Sequence, residues 1–312
     1  MATASEQRAG AGELVPAPQA ERRPLRALLA GAVFVAPAVV LLTLVAGFPL
    51  IYNVYNSFQH LILTEPGTQH FVGFSNYWRA VTSSDFHAQF IRTVLFTMVS
   101  VTLEMLVGMM LALVMHQTFR GRGLVRAAIL VPWAVPTVVS GMLWRTMFDP
   151  RSGFVNYGLA LLHLPGGSTT WLNGTWTAWA AILVADAWKN TPFLAILLLA
   201  GLQIIPDDIY EEAQIDGAGM FRRFSYLTLP LLKPAILVAL VFRTLSSFMI
   251  FDIIYVMTNG GPGSATESLG FINVRAFREA LDFGYGGAIS VILLLICVLI
   301  AFIYQRVLRP ST

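Results

Sequence analysis

Six long runs of mostly apolar residues alternate with shorter polar segments along the chain, at residues 27–52, 93–115, 124–148, 178–202, 234–256 and 285–306. A helix needs about 20 mostly apolar residues to cross a membrane, because each residue adds about 1.5 Å across a hydrocarbon core of about 30 Å. The pattern therefore predicts an all-α polytopic membrane protein with six transmembrane helices, within residues 27–308. The third and fourth runs contain prolines, which indicates helices packed against protein and not against lipid.

Composition and charge support the membrane assignment. Hydrophobic residues make up 56% of the 312 residues and charged residues 12%, about half the charged share of a soluble domain. With the N-terminus inside, twelve Lys and Arg residues fall at the inner ends of the spans and five at the outer ends. This imbalance favours cytoplasmic locations for both termini. Residues 1–26 have little apolar surface to bury and are predicted to form a disordered cytoplasmic tail.

Several classes of function are disfavoured by what the sequence contains. The basic residues lie at helix ends and do not form the patch that a nucleic-acid-binding protein needs. The single cysteine, Cys297, cannot form a disulfide framework or a thiolate metal cluster. The sequence has no phosphate-binding loop of the form G-x-x-x-x-G-K-[ST], no H-E-x-x-H motif and no nucleophile elbow. We therefore expect no enzymatic activity and no cofactor in this chain.

One polar segment, residues 203–233, is too patterned to be a simple linker. Pro206 followed by two aspartates is a helix-start signal, so residues 208–216 are predicted to be helical. Gly217 can adopt the left-handed conformation that ends such a helix. Apolar residues then recur at helical spacing and predict a second short helix, with Met220, Phe221, Phe224 and Leu227 on one face. The segment therefore predicts a helical hairpin that projects from the membrane.

The same segment resembles the EAA motif of binding-protein-dependent ABC importer permeases, which reads E-A-A, three residues, Gly, nine residues, I-x-L-P. The matching residues are Glu211, Glu212, Ala213, Gly217, Leu227, Leu229 and Pro230. Glu212 stands where alanine is usual and Leu227 where isoleucine is usual, and neither change disfavours the helix. The resemblance implies that this loop couples the membrane domain to an ATPase. The implied coupling residues are Glu211, Glu212, Ala213, Asp216 and Gly217.

Further segments resemble the maltose-type branch of carbohydrate permeases, and among these the trehalose-importer subunits of actinobacteria. The segments are FVGFSNYWRAV (71–81), LVPWAVPTVVSG (130–141), WKNTPF (188–193) and YVMTNGGPGSATESL (255–269). This resemblance implies the type I ABC importer permease fold in a bacterial cell membrane. It also implies a second homologous permease, two ATPase subunits that hold ATP and Mg²⁺, and an extracytoplasmic sugar-binding protein.

In maltose-type permeases the sugar contacts come from the third, fourth and fifth spans. Carried over by motif position, they fall on Trp133, Thr137, Lys189, Asn190, Arg243, Ser246, Ser247 and Ile250. These residue types suit a sugar, because an aromatic face packs against the C–H side of the ring and polar groups bond its hydroxyls.

Other interpretations of these residues stay open at this point. Asp186 and Lys189 can neutralise one another as a structural pair. Arg243 can pair with Asp252 or with a partner subunit, and Glu104 is expected to make an interhelical contact. Trp133 can simply pack between helices. Three rival functions also stay open: an importer of glycerol-3-phosphate or another small solute, an ion-coupled secondary transporter, and a membrane-embedded enzyme.

Overall fold

The computed structural model describes residues 25–307, with side chains from Val33 onward, and the chain divides into two bodies, residues up to 52 and residues from 53. The predicted tail, residues 1–26, lies outside the described residues except for its last two. The helices are α1 Leu25–Leu42, α2 Phe48–Ser57, α3 Ser75–Thr82, α4 Ser84–His116, α5 Arg122–Ala134, α6 Thr137–Met147, α7 Phe154–Leu161, α8 Thr175–Leu202, α9 Asp207–Ile215, α10 Met220–Arg223, α11 Leu229–Leu231, α12 Lys233–Phe248, α13 Asp252–Met257, α14 Leu269–Arg278 and α15 Phe283–Val307. Two short antiparallel strands, β1 Gln59–His60 and β2 His70–Phe71, lie between α2 and α3.

The predicted all-α membrane fold is confirmed. Four helical segments are long and apolar enough to cross a membrane: Val33–Ser57, α4, α8 and α15. Two bent helix pairs pass the same test when each pair is counted as one span, which raises the number to six. The first pair is α5 with α6, and the second joins Met220–Leu231 to α12.

The predicted third span, residues 124–148, is not one helix. Its two arms, α5 and α6, meet at 94°. The chain is extended at Val135, with ψ 130°, and at Pro136, with ψ 141°. Proline has no N–H group for a helical hydrogen bond and disfavours a helical conformation in the residue before it, so the helix ends at Ala134.

The predicted fifth span, residues 234–256, is also interrupted. Helix α12 ends at Phe248 and α13 starts at Asp252. Between them the carbonyl oxygen of Ile250 accepts a hydrogen bond of 2.5 Å from the Ser268 hydroxyl. A polar group from a distant segment thus satisfies the backbone where the helix is open, as membrane proteins require.

Helices α4, α8 and α12 form the centre of the second body. Small residues allow close approach: a Cβ atom added at Gly108 of α4 would lie 3.2 Å from the Leu194 side chain of α8. At Gly201 of α8 an added Cβ would lie 2.5 Å from the Ala235 Cβ of α12. Small residues at such contacts are the usual means of helix association in membranes, where van der Waals packing dominates.

Candidate functional site

A group of four buried polar residues, here called the charge cluster, joins the three central helices. It consists of Ser100 and Glu104 on α4, Asp186 on α8 and Arg243 on α12, each at most 5% exposed. The Arg243 Nη2 atom lies 2.7 Å from Glu104 Oε1, and Arg243 also pairs with Glu104 Oε2 through Nε and with Asp186 Oδ2 through Nη2. The Ser100 Oγ atom lies 2.9 Å from one oxygen of each carboxylate.

The charge cluster answers three of the open questions about these residues. Asp186 pairs with Arg243 and not with Lys189. Arg243 pairs with Glu104 and Asp186 and not with Asp252. Glu104 makes the interhelical contact expected of it. An uncompensated charge is very unfavourable in a low-dielectric interior. None of the three charged side chains could therefore stay buried without its partners.

Lys189, one turn from Asp186 on α8, stabilises the broken third span. Its Nζ atom donates to the carbonyl oxygen of Val135 at 2.7 Å and lies 3.4 Å from that of Trp133. These carbonyl groups lie at the C-terminal end of α5, where the helix supplies no N–H partner. A lysine is a suitable partner there because it both donates and complements the negative end of the helix dipole.

A row of aromatic side chains, here called the aromatic row, runs across α5, α8 and α12. The rings of Trp133 and Phe193 are stacked, with centroids 5.7 Å apart and planes at 16°. Phe193 meets Phe242 edge to face at 6.4 Å. Trp133 is 48% exposed and Phe242 is 57% exposed, so the row presents apolar faces outward and is not enclosed in a core.

Three polar residues of the predicted sugar site are at least partly exposed. The Asn190 amide nitrogen donates to Asp186 Oδ1 at 2.8 Å and to the Asp186 carbonyl at 3.0 Å, which fixes the amide orientation. Asn190 is half-buried. The exposed Ser246 hydroxyl donates to the Phe242 carbonyl at 2.9 Å, and Thr137 is half-buried at the start of α6.

The structure therefore divides the eight predicted sugar-contact residues into two groups. Trp133, Thr137, Asn190 and Ser246 lie at least partly at the surface. The other four are buried, namely Lys189, Arg243, Ser247 and Ile250. Ile250 packs in an apolar cluster with Phe96 and Phe271, and the Ser247 hydroxyl is buried with no partner among the described residues.

Sequence reasoning missed Ser100, Phe193 and Phe242. A signal for Ser100 was available, because Ser100 and Glu104 are four residues apart, as are Asp186 and Asn190. Residues at this spacing share a helix face. Two such polar pairs within apolar spans indicate faces that must meet each other or a cavity.

The polar loop forms the predicted helical hairpin. Helix α9 ends in a turn in which the Ala218 N–H donates to the Ala213 carbonyl at 2.8 Å, and Gly217 has φ +77°. The Tyr210 hydroxyl lies 3.0 Å from the Thr228 hydroxyl and ties the two arms together. Large apolar side chains at the tip are 77–87% exposed, namely Ile215, Met220, Phe221 and Tyr226. The carboxylates of Glu211, Glu212 and Asp216 are also exposed.

Together these features define a multi-pass membrane permease with a charged core and a projecting apolar hairpin. The chain belongs to the family described as the binding-protein-dependent transport system inner membrane component, whose model matches residues 104–312. The protein is thus a membrane permease subunit of an ABC importer, and ATP hydrolysis lies in a separate subunit.

Known relatives agree with this assignment. The chain is 44% identical over 239 residues to the trehalose/maltose transport system permease protein MalF of Thermococcus litoralis, which covers 77% of this chain and 80% of the relative. It is 40% identical over 273 residues to the trehalose transport system permease protein SugA of Mycobacterium tuberculosis, covering 87% and 86%. The fold matches a chain of a bacterial alginate ABC transporter solved with its periplasmic protein, with a TM-score of 0.77, 20% identity and coverage of 91% and 95%.

Proposed function

We propose that this chain is one of two related permease subunits of an ATP-driven importer whose cargo is a disaccharide of the trehalose or maltose type. Two relatives at 44% and 40% identity carry those sugars in their names. The complete transporter contains a second permease, two ATPase subunits and an extracytoplasmic sugar-binding protein. The sugar-contact and coupling residues named below are part of the same proposal. We also propose that residues 27–308 form one permease domain and that both termini lie in the cytoplasm.

The observation that carries this proposal is the exposed apolar tip of the hairpin. Contiguous exposed apolar side chains on a soluble surface mark a protein interaction site. Here Phe221 and Met220, each more than 80% exposed, follow the acidic helix α9 closely along the chain. A groove on an ATPase subunit with an apolar floor and basic rims complements this tip in shape and charge. Gly217 sets the angle between the two arms.

The connections of the hairpin explain how motion reaches the membrane. One arm continues from α8 and the other leads through a 68° bend into α12. These two helices carry Asp186 and Arg243 of the charge cluster. A displacement of the hairpin by the ATPase therefore moves α8 and α12 together, since parting them would expose unpaired charges. This movement opens the path alternately to each side of the membrane.

The contacts described above favour a smaller set of sugar-contact residues than the eight that the motif positions give. Trp133 supplies an exposed aromatic face, and Thr137, Asn190 and Ser246 supply hydrogen-bonding groups. The Lys189 Nζ atom is bound by carbonyl oxygens and Arg243 by carboxylates. A phosphate on the cargo would have to compete with these internal partners, which argues for a neutral sugar and against glycerol-3-phosphate.

The test is uptake by the transporter reconstituted with its binding protein and assayed against a panel of sugars. One disaccharide should stimulate ATP hydrolysis, and Trp133→Ala should lower uptake of that sugar about tenfold, equivalent to about 1.4 kcal/mol. Trp78→Ala, which removes a tryptophan that is 72% exposed on α3, is the matched control. If the Trp133 variant takes up the sugar as fast as the wild type, the aromatic row is not part of the sugar site.

The coupling half of the proposal is tested separately. Phe221→Glu should prevent co-purification of the ATPase subunit, because it places a charge at the centre of the apolar tip. If the complex assembles and couples normally, the hairpin is not the docking element.

A further inference from the structure

An apolar groove on the side of α4 and α8 has no role in the transport scheme. It encloses about 400 Å³, within the range of ligand pockets. Its walls include Leu95 and Val99 of α4 and Trp176, Trp179 and Leu183 of α8. A single charged residue, Arg92, lines one end.

The lengths of the two helices place this end of the groove at the membrane boundary. Helix α4 has 33 residues and is about 50 Å long, so about 10 Å extends beyond the hydrocarbon core at each end if it is centred. Arg92, the ninth residue, lies about 12 Å from the start of α4. By the same reasoning α8, with 28 residues, extends about 6 Å, which brings Trp176 and Trp179 to the boundary. Tryptophan is enriched at this depth in membrane proteins.

Arg92 retains hydrogen-bonding capacity at that position. Its Nη1 atom donates to the Ser264 carbonyl oxygen at 2.7 Å. Among the side chains of residues 33–307, the ion pairs do not include Arg92. A partly exposed guanidinium at the boundary thus keeps donors for an anion, and guanidinium binds phosphate oxygens strongly.

The apolar part of the groove leads from Arg92 toward the middle of the membrane. Arg92, Leu95 and Val99 are spaced three and four residues apart, so they follow one face of α4 for about 10 Å. Leu95 is 56% exposed and Val99 is 53% exposed. A chain of methylene groups fits this path, and an anionic headgroup fits the end that carries the charge.

We propose that this groove binds one anionic phospholipid, with the phosphate on Arg92 and an acyl chain along Leu95 and Val99. A phospholipid supplies the negative charge and the apolar chain in one molecule. A transmembrane helix of a partner in the same place would bury the Arg92 charge among apolar side chains unless it brought its own carboxylate.

The experiment is native mass spectrometry of the assembled transporter after exchange into mixed micelles that contain phosphatidylglycerol or phosphatidylcholine. The wild type should retain one phosphatidylglycerol per copy of this chain. Arg92→Gln should lower retention at least tenfold, whereas Arg92→Lys keeps most of it. Val99→Trp, which fills the groove and keeps the charge, should also release the lipid. Arg278→Gln, which removes an exposed arginine outside the groove, is the matched control and should retain it.

Three results would overturn the proposal. The first is equal retention by the wild type, Arg92→Gln and Val99→Trp. The second is equal retention of phosphatidylglycerol and phosphatidylcholine by the wild type. Both lipids carry a phosphate, so this result would show that the groove does not select an anionic headgroup. The third is efficient cross-linking of a cysteine at Leu95 to the second permease in the assembled transporter, which would show that a partner helix fills the groove.

Discussion

Arg243 is the positive charge at the centre of the charge cluster. It compensates two carboxylates, Glu104 and Asp186, which leaves one negative charge in excess. Lys189, one turn from Asp186, supplies the missing positive charge while it bonds to the end of α5. At their formal charges the four groups sum to zero. This neutrality explains why four ionisable residues are tolerated in spans where each alone would cost roughly 2.5–3.5 kcal/mol.

We predict that Arg243→Ala destabilises the protein, because it leaves two carboxylates buried together without a cation. Breaking a buried ion pair in this way costs roughly 3–5 kcal/mol. The yield of assembled complex and its thermal unfolding temperature in detergent should both fall. Arg145→Ala removes an exposed arginine whose one hydrogen bond within the described part of the chain is to the Val256 carbonyl group at 3.3 Å, so it should keep wild-type stability. Normal stability of the Arg243 variant would mean that the charge cluster does not hold the helices together.

Part of this residue-scale picture was accessible from the sequence. Polar residues four apart within apolar spans identify Glu104, Asp186 and Arg243 as groups that need partners. The sequence could not say which partners they find. Arg243 reaches across 139 positions to Glu104 and 57 to Asp186, whereas the candidate Asp252 is nine residues away. Sequence distance is uninformative here because pairing depends on which helix faces meet.

At the scale of helices, the hairpin was predictable from local signals, whereas the broken spans were predictable only in part. Its signals are local: Pro206 and two aspartates start α9, and Gly217 ends it. Pro136 is a local signal for the interruption in the third span, but both interruptions are stabilised by distant groups. Lys189 of α8 supports the first, and Ser268 of the following loop supports the second. Hydropathy shows that a segment is apolar. It does not show whether another segment will form hydrogen bonds with the unpaired backbone groups of that segment.

We predict that Gly217→Ala weakens coupling between ATP hydrolysis and transport. Gly217 has φ +77° and open space around it, so the substitution acts through the backbone alone, at a cost of roughly 1–2 kcal/mol. Gly219 also has open space and has φ −64°, which alanine adopts freely. Sugar-stimulated ATP hydrolysis by the reconstituted complex should therefore fall for Gly217→Ala and stay normal for Gly219→Ala. Equal values for the two variants would contradict a role for the turn geometry.

At the scale of the whole molecule, apolar length gives four spans in the described residues, or six when each bent pair counts as one, and the family confirms the membrane location. The orientation rests on the excess of Lys and Arg at one side. Because Cys297 is the only cysteine, accessible labels can be introduced one at a time in a Cys297→Ser background.

We predict opposite labelling of two exposed positions. Arg120→Cys, in the exposed turn between α4 and α5, should react with a membrane-impermeant maleimide only after the cells are opened. Gln69→Cys, between β1 and β2, should react in intact cells. The reverse pattern would invert the proposed topology, and labelling of both positions in intact cells would show that an even number of spans separates them.

The charge cluster also limits how this protein can be recombined with its relatives. Its members come from three separate stretches of sequence, so replacing α8 alone with a segment that has no carboxylate at position 186 would leave Arg243 with one partner fewer. Functional hybrids with a permease that differs at any of these positions should therefore require α4, α8 and α12 to be transplanted as a set. A library of crossovers would divide into viable and inviable members along this boundary.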